Sequence, residues 1–98
     1  MNKAALSAFI TEYGDRIFCI NLDNSRFIYI GYNGGVKLSD ISLNTIGGVD
    51  YISVAHTDKS FSGVEVKYTV HHLIDSIQWI GTLDEGYSSY GIDPLKLR

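Results

Sequence analysis

Residues 16–32 read RIFCINLDNSRFIYIGY. Two apolar runs, 17–22 and 27–32, flank the turn-prone Asp23-Asn24-Ser25. β-Branched and aromatic side chains dominate both runs, which favours strand over helix. The stretch reads as a β-hairpin. Asp23-Asn24 supplies a two-residue turn, because both side chains tolerate positive φ. Alternation puts Phe18, Ile20 and Leu22 on one face of the first strand, and Ile17, Cys19 and Asn21 on the other. On the second strand Ile28, Ile30 and Tyr32 oppose Phe27, Tyr29 and Gly31. Both faces are therefore apolar, and a lone hairpin buries neither. Either the rest of the chain covers both faces, or another molecule covers one. Curled closure of the chain on itself is the expectation.

Upstream, residues 3–13 carry Leu6, Phe9, Ile10 and Tyr13 at i, i+3, i+4 and i+7, one stripe of an amphipathic helix. Asn2 is placed to cap its start and Gly14 to end it. So short a helix needs a surface to dock on, and the nearest is the hairpin that follows. Downstream, Asn33-Gly34-Gly35 is a turn signal. Residues 36–48, VKLSDISLNTIGG, fit neither period cleanly and read as a mixed connection with room for one short strand. A second hairpin follows, with strands over 51–57 and 64–71 around a 58–63 loop. Val64, Val66, Tyr68 and Val70 alternate with Glu65, Lys67, Thr69 and His71, predicting one buried and one solvated face. A last strand over 74–83 sets Ile77, Trp79 and Gly81 against Gln78 and Ile80. Residues 85–91, EGYSSYG, are loop, and Asp93-Pro94 opens a short tail.

The expected fold is mainly β, in the α+β class. A short N-terminal helix precedes about five antiparallel strands in a strongly bent sheet or small barrel. The whole is one domain of 98 residues, with the helix in 1–14, the sheet or barrel in 16–83, and loop and tail in 84–98. This order resembles that of an Sm-like domain: a helix, five strands, and a final apolar strand entered through a short turn, here Leu73-Ile74-Asp75-Ser76-Ile77. The basic and Asn/Gly positions by which Sm-like proteins grip RNA have no counterpart here, so no binding residue carries over.

The formal net charge of −3 argues against a binder of nucleic-acid backbones. Its basic residues are scattered along the chain. The single cysteine, Cys19, allows no internal disulfide and sits in an apolar run, which predicts a buried, inert thiol and a reducing cytoplasm. Glu12 and Asp15 interrupt the N-terminal apolar segment too early for a secretory signal, and no apolar run matches a membrane span.

Chemistry-bearing constellations are few. His56, His71 and His72 are enough imidazoles for a zinc site, yet adjacent residues of a regular strand point to opposite faces, so His71 and His72 do not both ligate from one. Asp23, Asp40, Asp50, Asp58 and Asp75 sit at expected turns, where side-chain bonds to the backbone explain them. No GxSxG, GxGxxG or Walker-type loop occurs. The tyrosines stand out instead. Tyr87 and Tyr90 lie in a loop mixing Tyr, Ser and Gly, a composition suited to adaptable recognition.

The expected function is that of a non-enzymatic binding protein acting through protein–protein contacts, on itself as a homo-oligomer or on another protein. Phe27, Tyr29, Tyr87 and Tyr90 are the expected contact residues. No cofactor, metal, nucleic acid or membrane partner is expected. The short, acidic, single-domain make-up is similar to phage or mobile-element accessory proteins that inhibit or sequester host factors. Two readings stand beside it: a nucleic-acid-binding Sm-like barrel, and a small-molecule-binding oligomer or small enzyme with an interface pocket using His56, His71 or His72.

Overall fold

The computed structural model describes residues 1–23, 26–31 and 35–90. Asn24 and Ser25 of the first turn, Tyr32, the Asn33-Gly34 pair and the tail from Gly91 onward lie outside the described residues.

Helix α1 (Lys3–Tyr13) begins and ends where its caps dictate. Asn2 is in extended conformation, and its Oδ1 accepts the Ala5 N–H at 2.8 Å, while the Gly14 N–H closes on the Ile10 carbonyl. A 3₁₀ turn, Gly14–Arg16, leads into β1 (Ile17–Leu22), which pairs antiparallel with β2 (Phe27–Tyr29). On its other edge β1 pairs with β6 (Ile77–Thr82), so the first sheet runs β2-β1-β6. The second sheet runs β3-β4-β5, from β3 (Ile41–Ile46), β4 (Val49–Lys59) and β5 (Glu65–Leu73), again all antiparallel.

The expectation of an antiparallel, mainly β fold with a short N-terminal helix holds. The single bent sheet or closed barrel does not. Six strands are described rather than about five, and no ladder among them joins β2 to β3 or β5 to β6. Two 3₁₀ turns mark the breaks. Leu38–Asp40 precedes β3, its start fixed by the Lys37 N–H donating to Asp40 Oδ2 at 3.0 Å. Ile74–Ser76 separates β5 from β6 and drives Ile74 into the core. The described ladders form two three-stranded sheets and do not run continuously around a barrel.

The supposed mixed connection over 36–48 holds a full strand. Ile41 and Leu43 alternate with Ser42 and Asn44, and Gly47-Gly48, both at positive φ, join Ile46 directly to Val49. This is a two-residue turn whose twist suits a hairpin and whose dihedrals only glycine adopts cheaply. The β4–β5 hairpin is also longer than expected. Lys59 pairs with Glu65, and the Ser60 N–H donates to the Val64 carbonyl, leaving three loop residues around Phe61.

The core lies between the inner faces of the sheets. Ile20, Leu22 and Ile28 from one side meet Ile52 and Val54 from the other, with Ile17, Ile30 and Ile74 completing it. Each such side chain contributes about 1.5–3 kcal/mol on full burial. The helix does not lie on the first hairpin alone. Leu6 enters the shared core, Ile10 borders a groove against Leu38, Ile41 and Leu43, and Lys3 donates to Thr45 Oγ1 at 2.5 Å. Its outer turn is closed by Phe9 stacked on Tyr13, with Arg16 over the Tyr13 ring.

The buried face expected for residues 64–70 is only partly buried. Val70 is half-covered, whereas Val64, Val66 and Tyr68 are exposed. The three residues of β2 are too short to cover an eleven-residue strand and its partner, so the outer half of the β4–β5 hairpin projects past the first sheet.

Candidate protein-binding face

The outer face of β2-β1-β6 is built by cross-strand pairing. Asn21 lies opposite both Phe27 and Trp79, and Cys19 opposite both Tyr29 and Gly81. Directly paired residues share a face, so Phe27, Tyr29 and Trp79 project together, away from Ile20, Ile28 and Ile80. Phe27 stacks on Tyr29 with centroids 5.6 Å apart and meets the Trp79 ring edge-on at 6.0 Å. These rings span Asn21 and Cys19, which are buried beneath them although they point outward.

Phe18 joins the same face through an irregularity. The register between β1 and β6 shifts between Ile17 and Cys19, which makes Phe18 the extra residue of a bulge. Its ring then occupies the space beside Gly81: a Cβ there would lie 2.7 Å from Phe18 Cζ and 3.4 Å from Trp79 Cζ3. The lack of a side chain at Gly81 is what seats the ring. A second shift, between Asn21 and Leu22, sets Leu22 opposite Ile77, which packs against the core and so leaves the face expected for it with Trp79. Strict alternation had therefore misplaced Phe18 and Ile77, each by one bulge.

Four aromatics share this face at 39% (Phe18), 41% (Phe27), 60% (Tyr29) and 49% (Trp79) exposure. Aromatic side chains half-covered by one another, with no charge among them, differ from singly scattered surface apolar residues, which need no explanation. Burial raises the Cys19 thiol above its ordinary pKa, so the residue beneath the rings is neutral at physiological pH.

The four sequence-derived contact residues are divided. Phe27 and Tyr29 stand in the aromatic face. Tyr87 is exposed on the 84–90 loop, and the Tyr90 hydroxyl accepts the Leu38 N–H, which ties that loop across the molecule. The Ser89 N–H donates to the Asp15 carbonyl at 2.7 Å, and Ser89 packs so closely on Gly31 that a Cβ at Gly31 would collide with its backbone. The loop thus works as a strap, and among the described aromatic pairs neither tyrosine joins the Phe27 cluster.

The histidines separate as well. His71 faces outward on the second sheet, where its Nδ1 lies 2.6 Å from Ser53 Oγ and Tyr51 meets its ring edge-on. Asn44 Nδ2 donates to the same Ser53 oxygen at 2.9 Å. Ser53 is buried under these partners, so the pair serves packing and offers no accessible nucleophile. His56 and His72 turn to the opposite face, with His56 stacked on Tyr68. Among the described residues no three His, Cys, Asp or Glu side chains are grouped to hold a metal ion. Among them, too, no helix is long and apolar enough to cross a membrane.

No known protein family matches the chain, and neither the curated proteins nor the solved structures contain a match to it.

Proposed function

We propose that this is a non-enzymatic binding protein that works through protein–protein contacts, with the outer face of β2-β1-β6 as its working surface and a second copy of the chain as the first occupant. The observation that carries this reading is the group of four half-exposed aromatics, Phe18, Phe27, Tyr29 and Trp79. Interface centres are enriched in such side chains and depleted of charge. That the four aromatics themselves carry no charge bears on the occupant. The chain carries a net charge of −3, so two copies repel at long range, and an uncharged patch is where they approach with least penalty. A two-fold pairing of identical patches is also the commonest way in which small chains associate.

The same surface offered to a foreign protein is the basis for an accessory role of the phage or mobile-element kind, in which a host factor is inhibited or sequestered. Catalysis has no comparable support, since Ser53 and His71, the closest hydroxyl–imidazole pair, are engaged in the second sheet. The test is light scattering across a dilution series with the wild type and a Phe27→Ser/Trp79→Ser double variant. Self-association in the wild type that is lost in a folded double variant supports the reading. A wild type that stays monomeric at tens of micromolar contradicts it, and RNA retention that weakens with salt would favour the nucleic-acid alternative instead.

A further inference from the structure

Where the two sheets diverge, between β2 and the projecting β4–β5 hairpin, they leave an open groove of about 460 Å³. Small-molecule sites commonly fall between about 300 and 1,000 Å³. Its walls are apolar, formed by Leu22 and Ile28 of the first sheet, Val36, and Val54 and Val70 of the second. Three nitrogen-bearing side chains share it: Arg26 at the start of β2, His56 on β4 and His72 on β5. No carboxylate lines it among the described residues. Asp23 belongs to an adjoining groove with Arg26, His71 and His72, where it accepts the Gln78 amide at 3.2 Å.

We propose that this groove binds a small organic anion with an apolar body, a carboxylate on an aliphatic or aromatic frame. Arg26 holds the carboxylate, with His56 and His72 beside it, and the body lies against Leu22, Ile28, Val54 and Val70. A planar guanidinium presents paired donors to the two carboxylate oxygens, and a charge-assisted bond at the mouth of an apolar groove is stronger than one in open water. An inorganic anion would leave the apolar walls unused, and a cation would meet Arg26 with no carboxylate in the groove's described lining.

The charges around His72 add a consequence. Burial, then Arg26, His56 and His71, hold its pKa below the ordinary value. The groups facing it are Arg26 from the first hairpin, His56 from β4, His71 beside it on β5 and Asp23 from the adjoining groove; Tyr68, bonded to Asp58, stacks on His56 further out. A bound anion favours the imidazolium, so binding takes up a proton and strengthens as pH falls towards the His72 pKa, in a range where the carboxylate is still ionised.

The experiment is a titration of the full chain with decanoate, below its micelle-forming concentration, followed by protein NMR, with decanol and decylamine as neutral and cationic controls. Saturable shifts are expected at Val54, Val70, His56 and His72, with decanoate binding about tenfold or more tighter than decanol. Arg26→Gln abolishes that preference, Arg26→Lys restores part of it, and His72→Gln flattens the pH dependence. Arg26 is exposed, so its variants are expected to fold, which spectral dispersion checks directly. Phe27 and Tyr29 border both surfaces, whereas Trp79 belongs to the outer face alone and its indole should not shift. Equal binding of decanol, no saturable binding, indifference to Arg26→Gln, or shifts centred on Trp79 would each overturn the proposal.

Discussion

The outer faces of the two sheets differ in what they carry. Each sheet buries its inner face against the other and leaves a second face outside. On β3-β4-β5 that face is mixed: Ser42, Asn44, Ser53, Thr69, Lys67 and His71 share it with Tyr51 and with the exposed Ile46, Val49 and Leu73 towards one end, and its buried hydroxyl is satisfied by Asn44 and His71. On β2-β1-β6 the corresponding face carries Phe18, Phe27, Tyr29 and Trp79. The mixed face sets polar groups over its one buried hydroxyl, whereas the β2-β1-β6 face gathers four aromatic rings, and the proposed binding role rests on that gathering.

Substitutions on the two sides of the sheets should separate core from surface, and the largest effect belongs to the core. Ile52→Ala removes a fully buried side chain and should cost about 2–5 kcal/mol in chemical denaturation. If Trp79→Ser costs the monomer as much, the outer face is part of the core and the contrast fails. Gly48→Ala comes next. It forces a side chain into the left-handed turn at φ 79°, where nothing lies near an added Cβ, so backbone strain of about 1–2 kcal/mol is the whole effect. Asn2→Ala should lower stability by about 1 kcal/mol through loss of the helix cap, leaving the aromatic face unchanged.

Acid sharpens the contrast on the inner side. The His72 pKa in the folded chain lies below its ordinary value, so between the two the unfolded chain binds more protons. Stability should therefore fall as pH drops through about 6.5, and His72→Gln should flatten that limb in thermal melts. The outer face carries no histidine among the described residues of its strands. The smallest effect is expected there: Tyr29→Ser should change monomer stability by no more than about 0.5 kcal/mol, as surface replacements usually do. Cys19 offers a local probe of the same face. Its thiol should be slow to react with a disulfide reagent in native protein and fast in denaturant, and rapid native reaction would mean that the rings do not cover it.

Much of this was legible in the chain, and what was not has identifiable causes. The helix, its Asn2 cap and its Gly14 end follow from local rules, as does the pairing of β1 with β2. From sequence, residues 36–48 read as a mixed connection with room for one short strand, and β3 was not placed within it, although Ile41 and Leu43 alternate with polar residues and Gly47-Gly48 is a two-residue hairpin signal. A strongly bent sheet or small barrel was expected from element order, but order does not reveal that the strands divide into two sheets, with 3₁₀ turns at Leu38–Asp40 and Ile74–Ser76 between them. Phe27 and Tyr29 were identified as candidates from alternation. Phe18 was not, because a bulge shifts it across the sheet and no residue type announces that bulge. Trp79 was placed on the last strand with Ile77 and Gly81, with no neighbour assigned to it on the first hairpin. It lies within the outer face of the first sheet, and only the pairing of Asn21 with both Phe27 and Trp79 reveals that the three are neighbours.

The central claim is that the aromatic face is a surface for another chain rather than part of the fold. Light scattering coupled to gel filtration tests it most directly, on the wild type beside the Phe27→Ser/Trp79→Ser variant at matched concentrations. The account predicts an oligomer that dissociates on dilution for the wild type, and a monomer with a near-native melting temperature for the variant. A wild type that is monomeric at every concentration, or a variant that unfolds, would contradict it.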